Sequence, residues 1–189
     1  MTKYQEGFYK FVIAPDNFEA VCDIVENFEE IKELLIYGFW IEVKSKCEAL
    51  LKKGWKVFLP PLTDNSEPEF TVYCNGFYTT DIEDEQEFSL AVGNVFGESI
   101  FGLYVAKETS VIDREQLYQI VKANKKAGWK SYTDYFYYKS LGEHFGDIAS
   151  LRKLDPSNRA SLVLQYASDI VNAVTELEPF VNKHILKVK

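Results

Sequence analysis

Hydrophobic positions recur at three- and four-residue steps from Phe18 through Val21, Val25, Phe28, Ile31 and Leu35. That period predicts an amphipathic helix. Asp16, with Glu19 three residues later, forms a capping-box pattern at its start, and Gly38 serves as its stop. A second helix is predicted from Phe39, with Trp40, Val43, Cys47, Leu50 and Leu51 on one stripe, Lys52 and Lys53 suiting its C-terminal dipole, and Gly54 beyond it. Both helices need a surface to cover their apolar stripes.

After Gly54 the period changes. Trp55–Leu59 reads as a strand closed by Pro60-Pro61. Phe70–Cys74 and Phe77–Ile82 flank Asn75-Gly76, a strong hairpin signal because both turn residues tolerate positive φ. Phe88–Val92 and Ile100–Ala106 complete an expected antiparallel β-meander. Asp113 then caps a third helix through Leu117, Ile120 and Val121. Trp129–Phe145, with six rings in its first ten residues, shows no clear period. A long final helix is expected from Asp155-Pro156 to about Leu177, with Pro179 interrupting it.

This order predicts an α+β fold in which the meander packs against amphipathic helices. A length of 189 residues fits one domain, with a helical N-terminal part (1–54), a sheet (55–112) and a helical C-terminal part (113–189). The run Phe11–Ala14 is too short for a signal peptide, and Leu34–Ile41 falls well below the roughly 20 apolar residues that span a bilayer. The expectation is therefore a cytoplasmic protein without membrane association. Cys22, Cys47 and Cys74 form neither a disulfide framework nor a CxxC clip, and Cys22 and Cys47 lie on apolar helix faces, where free Cys acts as a small hydrophobe. A reducing compartment fits them.

The formal net charge of −8 is unevenly spread. Met1–Thr63 carries −2, Asp64–Asp113 carries −10, and Arg114–Lys189 carries +4. The acidic middle makes Asp84, Glu85 and Glu87 a candidate negative face, suited to steering a charged partner or to self-association. The basic end contains a denser cluster: Lys122, Lys125, Lys126, Lys130 and Lys139 interleave with Trp129, Tyr132, Tyr135 and Tyr138. Cations beside rings can stack on nucleic-acid bases or anchor a protein partner.

Catalytic signatures are sparse. Pro15-Asp16 with Glu42-Val43-Lys44 matches the P-D…E-x-K pattern of metal-dependent nucleases, but that chemistry needs its acids converging on strands, and both halves lie in predicted helices. The match is read as a false positive. Gly97–Gly102 misses the G-x-S-x-G elbow by one residue. His144 and His184 have no metal-ligand spacing, and neither a dinucleotide nor a P-loop glycine motif occurs. No catalytic residue, metal or cofactor is assigned.

Phe39-Trp40 opening a helix, a strand after Gly54, strands ending in Ser99-Ile100-Phe101-Gly102-Leu103-Tyr104, a helix, and then Trp129 with its aromatic run resemble, over about residues 39–181, the region that follows the nuclease core in bacterial defence-associated proteins of the PD-(D/E)XK superfamily. The resemblance implies an accessory or recognition domain. Only 38 residues precede Phe39, too few for a nuclease core, so it implies no catalytic residues here. The expected function is non-catalytic macromolecular recognition, with a protein partner favoured. The alternative is a nucleic-acid-binding accessory module of a defence-type nuclease system, and the third reading is an unrecognised metal-dependent hydrolase.

Overall fold

The computed structural model describes residues 3–62, 70–74, 88–95, 98–105, 113–124, 126–132, 134–143, 145 and 148–184. Within them the chain forms α1 (Lys3–Val12), α2 (Pro15–Glu26), α3 (Phe28–Leu50), β1 (Trp55–Phe58), β2 (Thr71–Cys74), β3 (Phe88–Val95), β4 (Glu98–Val105), α4 (Arg114–Ala123), β5 (Lys130–Tyr132), β6 (Tyr135–Glu143), α5 (Ile148–Leu151), a 3₁₀ turn (Arg152–Leu154) and α6 (Ala160–His184). The six strands make one antiparallel sheet in the order β1-β2-β3-β4-β6-β5. The α+β class and the antiparallel sheet agree with the sequence reading. The predicted strand Phe77–Ile82 and the Asn75-Gly76 turn lie outside the described residues.

Strand alternation puts Val57, Val72, Leu90, Phe101, Leu103 and Tyr137 on one face of the sheet, and all of them join the main core. The second half of α3 (Phe39, Trp40, Val43, Cys47) and the inner stripe of α6 (Val163, Tyr166, Ala167, Ile170, Ala173, Val174, Leu177) close that core. At its centre Phe39 meets Trp40, Phe145 and Tyr166 edge-on, with ring centroids 5.4, 5.1 and 5.2 Å away. Asp113 caps α4 as expected, its carboxylate accepting from the Gln116 backbone N–H at 3.0 Å.

Four expectations need correction. First, the C-terminal part is not purely helical, because β5 and β6 belong to the sheet and β6 sits beside β4. Register shifts at Ser99/Ile100 and Leu103/Tyr104 disturb the two-residue period there. Gly102 permits the pairing, since a Cβ on it would lie 2.0 Å from the Tyr137 carbonyl oxygen. Second, Gly38 does not stop a helix. α3 runs through it, and the absent side chain makes room for the Arg159 guanidinium, 3.4 Å from where a Cβ would stand.

Third, α2 begins at Pro15 with Ala14 as its N-cap, which puts Asp16 inside the first turn, and an N-terminal helix, α1, precedes it. Fourth, the final helix starts at Ala160. Asp155 instead closes the preceding turn, accepting from the Ser157 N–H at 2.9 Å and its hydroxyl at 2.7 Å. These bonds, the Ser157 side chain's foremost, hold its carboxyl below the usual carboxylate range. Pro179 lies within α6 and does not end it. Burial of Leu177, Phe180 and Val181 on either side outweighs the helix bond that proline forfeits.

Candidate functional site

The lysine- and ring-rich segment is gathered around Glu176 of α6, a residue no sequence motif singled out. Trp129 donates its indole N–H to Glu176 Oε2 at 2.8 Å, Lys139 Nζ reaches both carboxylate oxygens at 2.7 and 2.8 Å, and Lys126 Nζ donates to the Glu176 carbonyl. Lys139 Nζ also stands 4.8 Å above the centre of the Trp129 ring. The Lys139 hydrogen bond foremost, with a lesser contribution from that of Trp129, draws the Glu176 carboxyl below its ordinary value against the opposing effect of burial. One glutamate therefore occupies two cations and an indole that a phosphate backbone or a partner would otherwise engage.

The rings behind this cluster serve packing. The Tyr137 hydroxyl donates to the carbonyls of Asn124 (2.6 Å) and Val121 (3.2 Å), while its ring meets Trp129 and Phe180 edge-on. Burial pushes its phenol up. Tyr135 donates to the Val92 carbonyl at 3.2 Å, over the space left by Gly93. Tyr138 is buried against Ile100 on the opposite sheet face and cannot serve an exposed surface. Lys122 on α4, and Lys130 and Tyr132 on the edge strand β5, are exposed. Lys125, Asp84, Glu85 and Glu87 lie outside the described residues.

Glu42 has a neighbour of its own. It accepts from Arg159 Nε at 3.2 Å and from its terminal nitrogen at 2.6 Å, while the same guanidinium donates to the carbonyls of Leu154 (3.1 Å) and Leu35 (3.4 Å). Arg159 is thus a buried clasp between α3 and the start of α6, and Glu42 and Lys44 lie on a helix, as the sequence reading of the P-D…E-x-K match required. Among the described residues no three His, Cys, Asp or Glu side chains come close enough together to hold a metal ion. Cys47 is buried, and desolvation, assisted by the nearby Glu48, pushes its thiol to about 12. Cys22 is half-buried.

The most open apolar surface lies elsewhere. From Glu6 to Gly38 no described side chain is buried. Tyr9, Phe11, Ile13, Phe18, Ile24, Val25, Phe28, Ile31 and Leu34, nine of the fourteen exposed large hydrophobics among the described residues, fall in this stretch. Val25 keeps 69% of its surface and Phe18 55%. Several of these are the positions whose periodicity predicted a core-facing stripe. The periodicity is real, but the described residues leave much of it open: Val21 and Leu35 are half-buried, while Phe18, Val25, Phe28 and Ile31 stay exposed. α2 and α3 meet at Asn27, where Asn27 N–H bonds to the Asp23 carbonyl and Ile31 N–H to the Asn27 carbonyl, both at 3.0 Å, so helical bonding continues across the junction. The result is a helical arm, α1, α2 and the first turns of α3, leading into the packed body at Phe39.

Comparison with family models, with curated proteins and with solved structures finds no match to this chain. Among the described residues no helix is long and apolar enough to cross a membrane.

Proposed function

We propose that the chain is a protein-recognition module that docks a partner on the apolar face of its N-terminal arm. The observation that carries this reading is the concentration of large exposed hydrophobics between Tyr9 and Leu34 beside a body whose own core is closed. Contiguous exposed apolar surface on a folded chain marks interaction sites. Covering a half-exposed Leu, Ile or Phe contributes about 1 kcal/mol, so the nine together supply about 10 kcal/mol. Association costs about 4–15 kcal/mol in lost freedom, so a partner must cover most of the face rather than one ring.

The lysine and aromatic segment supports the nucleic-acid alternative less well. Glu176 engages Lys126 and Lys139, and Lys122 and Lys130 are the exposed lysines left among its described residues. Salt-dependent backbone binding draws on several phosphate contacts at once.

Site-specific photo-crosslinking in the cell of origin tests the proposal. A crosslinking residue replacing Val25 or Leu34 should give discrete adducts, and one replacing Leu164, equally open but on the body, should not. Adducts of equal yield at Leu164, or none at Val25 and Leu34, overturn the assignment.

A further inference from the structure

The arm carries the alternation of a helix-to-helix seam. Val21, Ile24, Phe28, Ile31 and Leu35 follow one another at steps of three, four, three and four residues across α2 and α3. The positions flanking that seam hold a single charge: Phe18 and Val25 lie on one side with Lys32, and Ala20, Asn27 and Leu34 on the other. Glu29 engages Lys32 at 3.0 Å. The acids Glu19, Glu26 and Glu33, with Asp23 and Glu30 beside them, fall on the far side of the two helices. An apolar stripe wider than its seam belongs to a helix that packs within a bundle.

We propose that the occupant of this seam is the arm of a second copy of the chain. This rests on the docking reading above and names the partner. A contact between two copies sets one patch against itself, and like charges on that patch suppress it. Here the acids turn away and the one cation beside the seam is engaged within its own helix, so two arms meet without repulsion. Partners of different sequence are selected by charges flanking a seam, and these flanks offer them no unpaired charge to read. The area agrees. Phe18, Ile24, Val25, Phe28, Ile31 and Leu34 are 36–69% exposed. A half-exposed side chain of this size leaves on the order of 100 Å² open, so six leave roughly 600 Å² on each copy. Two copies together bury roughly 1,200 Å², the lower bound for a specific interface, which describes a dimer in exchange with its monomer. A lipid surface fits less well, since helices that lie on anionic membranes carry Lys and Arg on their polar face, where this arm carries acids.

Sedimentation velocity of the purified full chain, from about 1 to about 100 μM, decides the matter. The average mass should rise with concentration from 21.8 kDa toward twice that value. V25D alone, and separately I24S, F28S and I31S combined, should weaken association at least about tenfold. The helical signal by circular dichroism should stay unchanged in both, because Ile24, Val25, Phe28 and Ile31 are open in a single copy. E19Q, E26Q and E33Q combined, on the far side, and L164S on the body should leave association within about twofold of the parent. A chain that stays monomeric at about 100 μM overturns the proposal. So does a dimer that V25D and the triple serine variant leave intact, an equal loss in the far-side or body variant, or flotation of the chain with anionic vesicles. Crosslinked adducts at Val25 and Leu34 should have twice the mass of the chain. Adducts with other proteins alone overturn the second copy but leave docking on the arm intact, and no adducts at all remove the docking reading itself.

Discussion

The two halves of α3 share one helix and one apolar spacing yet meet opposite surroundings. Before Gly38, Phe28, Ile31 and Leu34 stand open to solvent; after it, Phe39, Trp40, Val43 and Cys47 are buried. The boundary is physical. Arg159 reaches across from the start of α6 to Leu35, Glu42 and Leu154, the glycine leaves space for it, and from there on α6 and the sheet supply a matching surface. An amphipathic period identifies a face that needs covering, but not whether the cover comes from the same chain.

This contrast is sharpest where substitutions of like kind should give unlike results. Phe39→Ala removes the ring at the centre of the aromatic cluster and should cost about 3–5 kcal/mol in urea unfolding, whereas Phe18→Ala in the arm should stay within about 0.5 kcal/mol, as for a surface change. A comparable loss at both sites would show that the arm is packed into the body and remove the basis for the docking face.

Gly102→Ala should cost about 1–3 kcal/mol or more, because its Cβ would meet the Tyr137 carbonyl oxygen and the Tyr138 backbone, neither of which can swing aside. At the junction, Arg159→Leu deprives the Leu154 and Leu35 carbonyls and Glu42 of their donor, for a loss of about 2 kcal/mol. Since Glu42 is half-exposed and water can replace the guanidinium there, the cost should fall short of that for breaking a fully buried pair. Amide exchange should then show protection falling on both sides of Gly38; loss confined to α6 would deny Arg159 its role as the clasp.

Acid should weaken the body further. Glu176 is held low by Lys139 and then Trp129, and Glu178 by Lys52 and then Trp55. Each has a folded-state value below its unfolded one, so its contribution is fully present above the ordinary glutamate range near about 4.3 and is lost as pH falls through the folded-state value. Because these carboxylates are partly exposed, screening keeps each contribution under about 1 kcal/mol. Glu176→Gln should therefore lower stability at pH 7 and reduce its fall between pH 5 and pH 3; a fall as steep as the parent's would show that Glu176 does not staple β6 to α6. A small effect of opposite sign is expected at Gly7, in α1 with no atom within 4 Å of a built Cβ. Gly7→Ala should raise helicity and add at most about 1 kcal/mol, opposite in sign to the same change at Gly102.

By itself, the sequence determined the local alphabet of this protein: helices over the three- and four-step stripes, the strands near Trp55, Phe70, Phe88 and Ile100, the Asp113 cap and the buried character of Cys47. Each of these follows from short-range rules of period, capping and turn chemistry, which act within a few residues. Tertiary structure alone decided the rest. It turned the unassigned Tyr135–Glu143 into a strand beside β4, because the pairing partner is distant in sequence and bulges blur the period. It carried α3 through Gly38 and α6 through Pro179, because packing with Arg159 and around Phe180 outweighs a weak helix residue and a lost hydrogen bond. It drew Lys126, Trp129 and Lys139 onto Glu176, since side chains 37 to 50 residues apart meet only once the sheet and α6 are assembled. It also left the arm's stripe open. Whether an apolar face is covered depends on where every other face of the chain has gone, and no local pattern carries that information.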